Sequence, residues 1–109
     1  MQKKVIQCNK LVRDYIPEII AADGRKCSYE VLSRDRYIEL LDEKLNEELS
    51  EYQESKSLEE LADLVEVIVA VINAMGFSWE DLTTIRTQKL VARGGFKNRI
   101  FLKEIIEET

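Results

Sequence analysis

The stretch NEELSEYQESKSLEELADLV, Asn46 to Val65, carries two carboxylate pairs on either side of a short polar break. Upstream of the break, Tyr37, Ile38, Leu41, Leu45, Leu49 and Tyr52 recur at spacings of three and four, the period of an amphipathic helix. Downstream, Ser57-x-x-Glu60 is a capping-box pattern, which opens a second helix. The spacing predicts a helix from a cap at Ser33 or Asp35 to about Gln53, a connection at Glu54-Ser55-Lys56, and a helix from Ser57 to about Met75, ended by Gly76. A break this short folds the two helices back on each other as an antiparallel hairpin.

The hairpin places acids where apolar groups belong. At about 100° per residue, Glu48 falls within the stripe marked by Leu41, Leu45 and Tyr52, with Glu51 on its flank, and Glu60 aligns with Leu64, Val67 and Val71, with Asp63 one turn on. Glu48 with Asp63, and Glu51 with Glu60, are each centred between Ser55 and Lys56, so members of each pair lie at similar heights in the hairpin. Four converging carboxylates are costly to bury without a compensating cation, and hard divalent ions prefer oxygen ligands, so Mg2+ is the expected occupant, with Mn2+ as a substitute. The competing reading is a solvated acidic face, with Glu47, Glu51 and Glu54 near Lys44 and Lys56 and Glu60 occupied as the capping partner of Ser57.

Outside the hairpin, residues 1–13 read as an extended N-terminal segment. Asp14 is a candidate cap for a short helix from Tyr15 to about Ala22, with Pro17 in its first turn and Asp23-Gly24 ending it. Cys27 to Leu32 reads as an extended connector or small ribbon. Ser78 with Asp81 caps a fourth helix from Trp79 to about Ala92, closed by Gly94-Gly95. The tail from Phe96 carries Ile100, Phe101, Leu102, Ile105 and Ile106, enough apolar surface to dock on the helices. Trp79 and the tyrosines are expected in the core or an interface.

The whole is therefore an all-α chain, a helical bundle around a central hairpin. Its 109 residues suit one domain with one core, and one proline with four glycines leave little of the punctuation that strand-rich folds use. The helix after Ser57 is apolar on nearly every face from Leu61 to Ile72, more than so small a domain encloses, so a homo-oligomer, dimer or tetramer, is expected. The net charge of −5 disfavours nucleic-acid coating. The longest apolar run, Val67 to Ile72, is far short of the roughly 20 residues that span a bilayer, and no signal region opens the chain, so a cytosolic protein without a membrane partner is expected. Cys8 and Cys27 form no CxxC pair and read as reduced, packed thiols. With no histidine, Ser-His-Asp and Cys-His catalysis and His-ligated zinc are excluded.

The order EELSE then ELAD on consecutive helices resembles the MazG-like, all-α nucleotide pyrophosphohydrolase superfamily, which includes phosphoribosyl-ATP pyrophosphohydrolase. NKLVRDYIPEII and RTQKLVARGGFKNRIFL look like the flanking segments of its small phosphoribosyl-ATP pyrophosphohydrolase-like group, so the likeness runs from about Asn9 to Leu102. It implies an oligomerising helical bundle, Mg2+ ligands at Glu48, Glu51, Glu60 and Asp63, and Glu47 as an outer-shell or water-activating group. The eight residues between Glu51 and Glu60 demand a tight hairpin. The implied reaction is hydrolysis between the α and β phosphates of a nucleoside triphosphate, giving monophosphate and pyrophosphate, in a house-cleaning role. Glu47, Glu48 and Glu51 are the catalytic candidates, the water's proton going to Glu47 or Glu51. Lys10, Arg13, Lys89 and Arg93 are candidate phosphate ligands, or else ordinary surface cations. Phosphoribosyl-ATP hydrolysis in histidine biosynthesis and a catalytically silent nucleotide-binding oligomer remain as alternatives.

Overall fold

A computed structural model of the chain describes residues 3–109. Four helices follow in order: α1 Ile16–Ala22, α2 Arg34–Ser55, α3 Leu58–Ala74 and α4 Trp79–Arg93, and no strand occurs among the described residues. Three of the four start at serines whose hydroxyls accept a backbone N–H from the first turn: Ser33 from Arg36, Ser57 from Glu60 and Ser78 from Asp81. Helix α1 differs from expectation. Asp14 does not cap it; Tyr15 holds the cap position without a side-chain bond, and Pro17, which has no N–H to satisfy, sits in the first turn.

Helix α2 runs two residues past Gln53, which shrinks the connection to Lys56 and Ser57. So tight a reversal needs a left-handed residue. Lys56 takes it at φ 56°, its N–H donating to Tyr52 O at 2.7 Å and its ammonium 5.1 Å from the Tyr52 ring centroid. The two helices pack antiparallel along their length, and the Arg34 guanidinium ties their open ends by donating to Ala74 O at 3.0 Å. Gly76, at φ 88°, ends α3 with its N–H on Asn73 O and that of Phe77 on Ile72 O, closing a Schellman motif. Helix α4 then leaves at a bend of 109° and touches α3 alone, while α1 packs on no other helix.

The four helices do not close into a bundle around one core within a single chain. Leu41, Val67 and Ile72 are the buried apolar residues among those described. The radius of gyration is 20.0 Å, where a compact chain of this length has about 13 Å. The accessible surface is 10612 Å², about 4,400 Å² more than the roughly 6,200 Å² of a compact monomer of this mass. The tail does not dock: Phe96 is 97% exposed, and Ile100, Phe101, Leu102, Ile105 and Ile106 are nearly as open. Trp79, Tyr15 and Tyr29 likewise stay exposed, and Cys8 and Cys27 are exposed thiols, not packed ones. No single helix is long and apolar enough to cross a membrane.

Candidate metal centre

Glu48 is the unusual residue of the hairpin. It sits in the α2–α3 seam at 6% exposure, the one buried charged residue among those described. Lys44, one turn earlier, reaches its Oε1 at 3.3 Å, but its Oε2 is buried without a hydrogen-bond partner. The same is true of Oε2 of Glu60 across the seam. An orphaned buried carboxylate oxygen costs its full desolvation, and Lys44 reaches only the other oxygen of Glu48.

Glu60 decides between the two readings of the acids. Ser57 accepts its backbone N–H at 3.2 Å, yet the Glu60 carboxylate does not return a bond to Ser57 N–H, so only half of the capping box forms. The contrast is within the same chain. At α4, Ser78 and Asp81 complete both arms, Ser78 N–H donating to Asp81 Oδ2 at 2.9 Å. Glu60 is therefore a spare carboxylate turned into the seam, not a cap.

The acids gather in two triples that share Glu48. Glu48, Glu60 and Asp63 each bring one oxygen within 4.8 Å of the others, as do Glu47, Glu48 and Glu51. Glu51 joins its own helix's acids and not Glu60 across the hairpin, so the expected four-membered ring is two overlapping sets. Oxygens around Mg2+ stand at about 2.1 Å from the ion and thus at most about 4.2 Å apart, so either set would have to close further to hold one.

Cations already neutralise part of this charge. Lys44 bridges Glu47 at 3.2 Å and Glu48; Lys10 reaches Glu47 at 3.6 Å, and Arg13 donates to Asp63 Oδ1 at 2.7 Å. Five carboxylates against three cations leave a formal deficit of two charges, the charge of one divalent ion. Lys44 was not legible as a site residue in the sequence. Its spacing to Glu48 is that of any surface helix pair, and only the burial of the pair distinguishes it. Lys89 and Arg93 are not brought to the acids. Asp63 lies eleven residues before the end of α3, about 16 Å of helix, and α4 bends away beyond that, with no ion pair from either residue among those described.

No family model matches the chain, and no solved structure does. An uncharacterized protein of Mycolicibacterium smegmatis is 52% identical over 42 residues, 38% of this chain and 43% of that protein's length. The aligned part is less than half of either molecule. What the centre does is therefore argued from its geometry.

Burial pushes the Glu48 carboxyl above the ordinary carboxylate range; Lys44 pulls it back, and Glu51 adds to the rise. Burial alone would bring the Lys44 ammonium down, but its bonds to Glu47 and Glu48 hold it above its usual value. A carboxyl whose folded value is raised binds more protons in the folded chain than in the unfolded one, so its share of stability falls as pH rises through that window. In chelator, the melting temperature of the wild type should thus fall relative to Glu48→Gln as pH climbs above 4.5, the ordinary value. A divalent ion held by Glu48 would reverse the trend, because a carboxyl ligand must be ionised to bind. Melting curves of both proteins across pH 4 to 8 check this.

Proposed function

We propose that the chain is a Mg2+-dependent nucleotide pyrophosphohydrolase, cleaving the α–β phosphoanhydride of a nucleoside triphosphate. The observation that carries this is the pair of buried, unpartnered oxygens, Glu48 Oε2 on α2 and Glu60 Oε2 on α3, in a cluster with Asp63 that has a deficit of two charges. The sequence resemblance supports the same reaction. Glu48, Glu60 and Asp63 would hold the ion, with Glu51 beside them; Mn2+ fits the same oxygen donors. When bound, a divalent cation there neutralises the triphosphate and lowers the pKa of a water.

The chain's own groups supply the rest. Glu47 or Glu51 accepts the proton of the water whose oxygen bonds to the α phosphorus, and the bond from that phosphorus to the α–β bridging oxygen breaks, releasing monophosphate and pyrophosphate. Glu47 is half-buried and in contact with two lysines, Lys10 and Lys44. Lys10 and Arg13 stand at the rim, within a side chain's swing of the acids, and would take phosphate oxygens. Lys89 and Arg93 could do so only from a second copy. The excess of about 4,400 Å² per chain over a compact monomer leaves ample surface for a second copy to cover, and supports a homo-oligomer.

A second reading has its own observation. Lys10, Arg13 and Lys44 already pair with Glu47, Glu48 and Asp63, which suits a silent nucleotide-binding oligomer. The test incubates the protein with Mg2+ and canonical, modified and phosphoribosyl nucleotides, measuring monophosphate and pyrophosphate. Wild type should turn over at least one triphosphate, and Asp63→Asn should lose about a hundredfold or more. Turnover undiminished in Asp63→Asn would place the chemistry elsewhere. Nucleotide binding without turnover would establish the silent reading.

A further inference from the structure

The N-terminal segment lies over the acids as an extended strap. Among the described residues its charged ties to the hairpin are two, Lys10 to Glu47 at 3.6 Å and Arg13 to Asp63 at 2.7 Å, with Leu11 half-buried between them. The Arg13 bond is short, but both partners are open to water, at 58% and 43% exposure. An exposed ion pair of this kind contributes little and is easily exchanged. Asp63 itself belongs to the triple whose other members, Glu48 and Glu60, keep buried oxygens unpaired.

These facts set up a competition. Arg13 holds Asp63, one of the three carboxylates that a divalent ion there would take, and a dication a few ångströms away repels a guanidinium. A guanidinium displaced from a carboxylate keeps a planar fork of donors that matches a phosphate group. We propose that Arg13 is a cation-gated phosphate ligand, holding Asp63 until a divalent ion takes that carboxylate and then turning its fork to the substrate's phosphates. The inference rests on the divalent-cation reading above and adds an order to it: cation first, triphosphate second.

The strap carries its own reporter position. Cys8 is exposed and two residues from Lys10, so a nitroxide on Cys8 in a Cys27→Ser background reads the mobility of the segment. Mg2+ alone should sharpen the spectrum, and an α,β-methylene triphosphate added with Mg2+ should broaden it again. By calorimetry, Arg13→Gln should bind Mg2+ about two- to fivefold more tightly, because its competitor is gone, and the methylene triphosphate about tenfold more weakly. Arg13→Lys keeps a charge but no fork, so it should restore the weaker Mg2+ binding without the triphosphate affinity. If Mg2+ binds while the Cys8 signal stays unchanged, or Arg13→Gln binds Mg2+ no better than wild type, the gate is overturned and the metal centre stands. If neither wild type nor Arg13→Gln binds Mg2+, both fall together.

Discussion

Glu48→Gln is expected to abolish Mg2+ binding and reduce turnover by at least about a hundredfold, while leaving the metal-free protein as stable as wild type or more so. The two halves pull in opposite directions for one reason. Glu48 is the acid common to both triples, so its loss removes an oxygen from each possible ligand set. The same carboxylate is buried with one oxygen unpaired, and the charged form is what burial penalises. Glutamine keeps the shape and drops the charge, and its amide can donate to a neighbouring acid. Lys44 is not orphaned by the change, since it also holds Glu47 at 3.2 Å. A purely structural Glu48 would show the reverse: breaking a buried pair by neutralising one partner destabilises, typically by about 3 to 5 kcal/mol. Melting in chelator and calorimetry with Mg2+ separate the outcomes, and a Glu48→Gln protein that melts far below wild type without metal would remove the metal from the account of this residue.

The hairpin was legible because its signals are local. Serine caps at Ser33, Ser57 and Ser78 and the three–four apolar rhythm of α2 act within one or two turns, and they placed the helix starts correctly. Asp14 failed as a cap because a neighbouring Pro17 set the first turn by its own ring geometry, one residue later. The acids were legible as a constellation, since a mirrored spacing about a short loop is a property of sequence alone. What decides their role was not: whether the Glu60 carboxylate answers Ser57 or turns inward depends on side-chain rotation, and the ordinary i, i+4 pair Lys44–Glu48 becomes part of the centre only through burial against α3. Longer-range expectations failed for a further reason. The apolar tail predicts burial, but hydrophobicity is non-directional and does not say on which molecule.

That tail supplies the other large expected effect. Phe101 and Ile105 are 84% and 76% exposed in the single chain, and replacing both by serine should cost almost nothing if the chain works alone, since open surface positions stay within about ±0.5 kcal/mol. Covered by a second copy, each would bury about 1.5 to 3 kcal/mol of transfer energy. Two-fold symmetry counts every residue twice, so Phe101→Ser with Ile105→Ser would weaken a dimer by at least about 6 kcal/mol, or more than ten-thousandfold. Wild type should then sediment as a dimer or tetramer at micromolar concentration, and the double variant as a monomer with a lowered melting temperature. Turnover should fall with the assembly even though the acidic hairpin stays intact, because Lys89 and Arg93, out of reach of Asp63 within one chain, lose the neighbour they would serve. A wild-type monomer of full activity would show instead that the acids, Lys10 and Arg13 suffice, and that the exposed apolar surface serves another purpose.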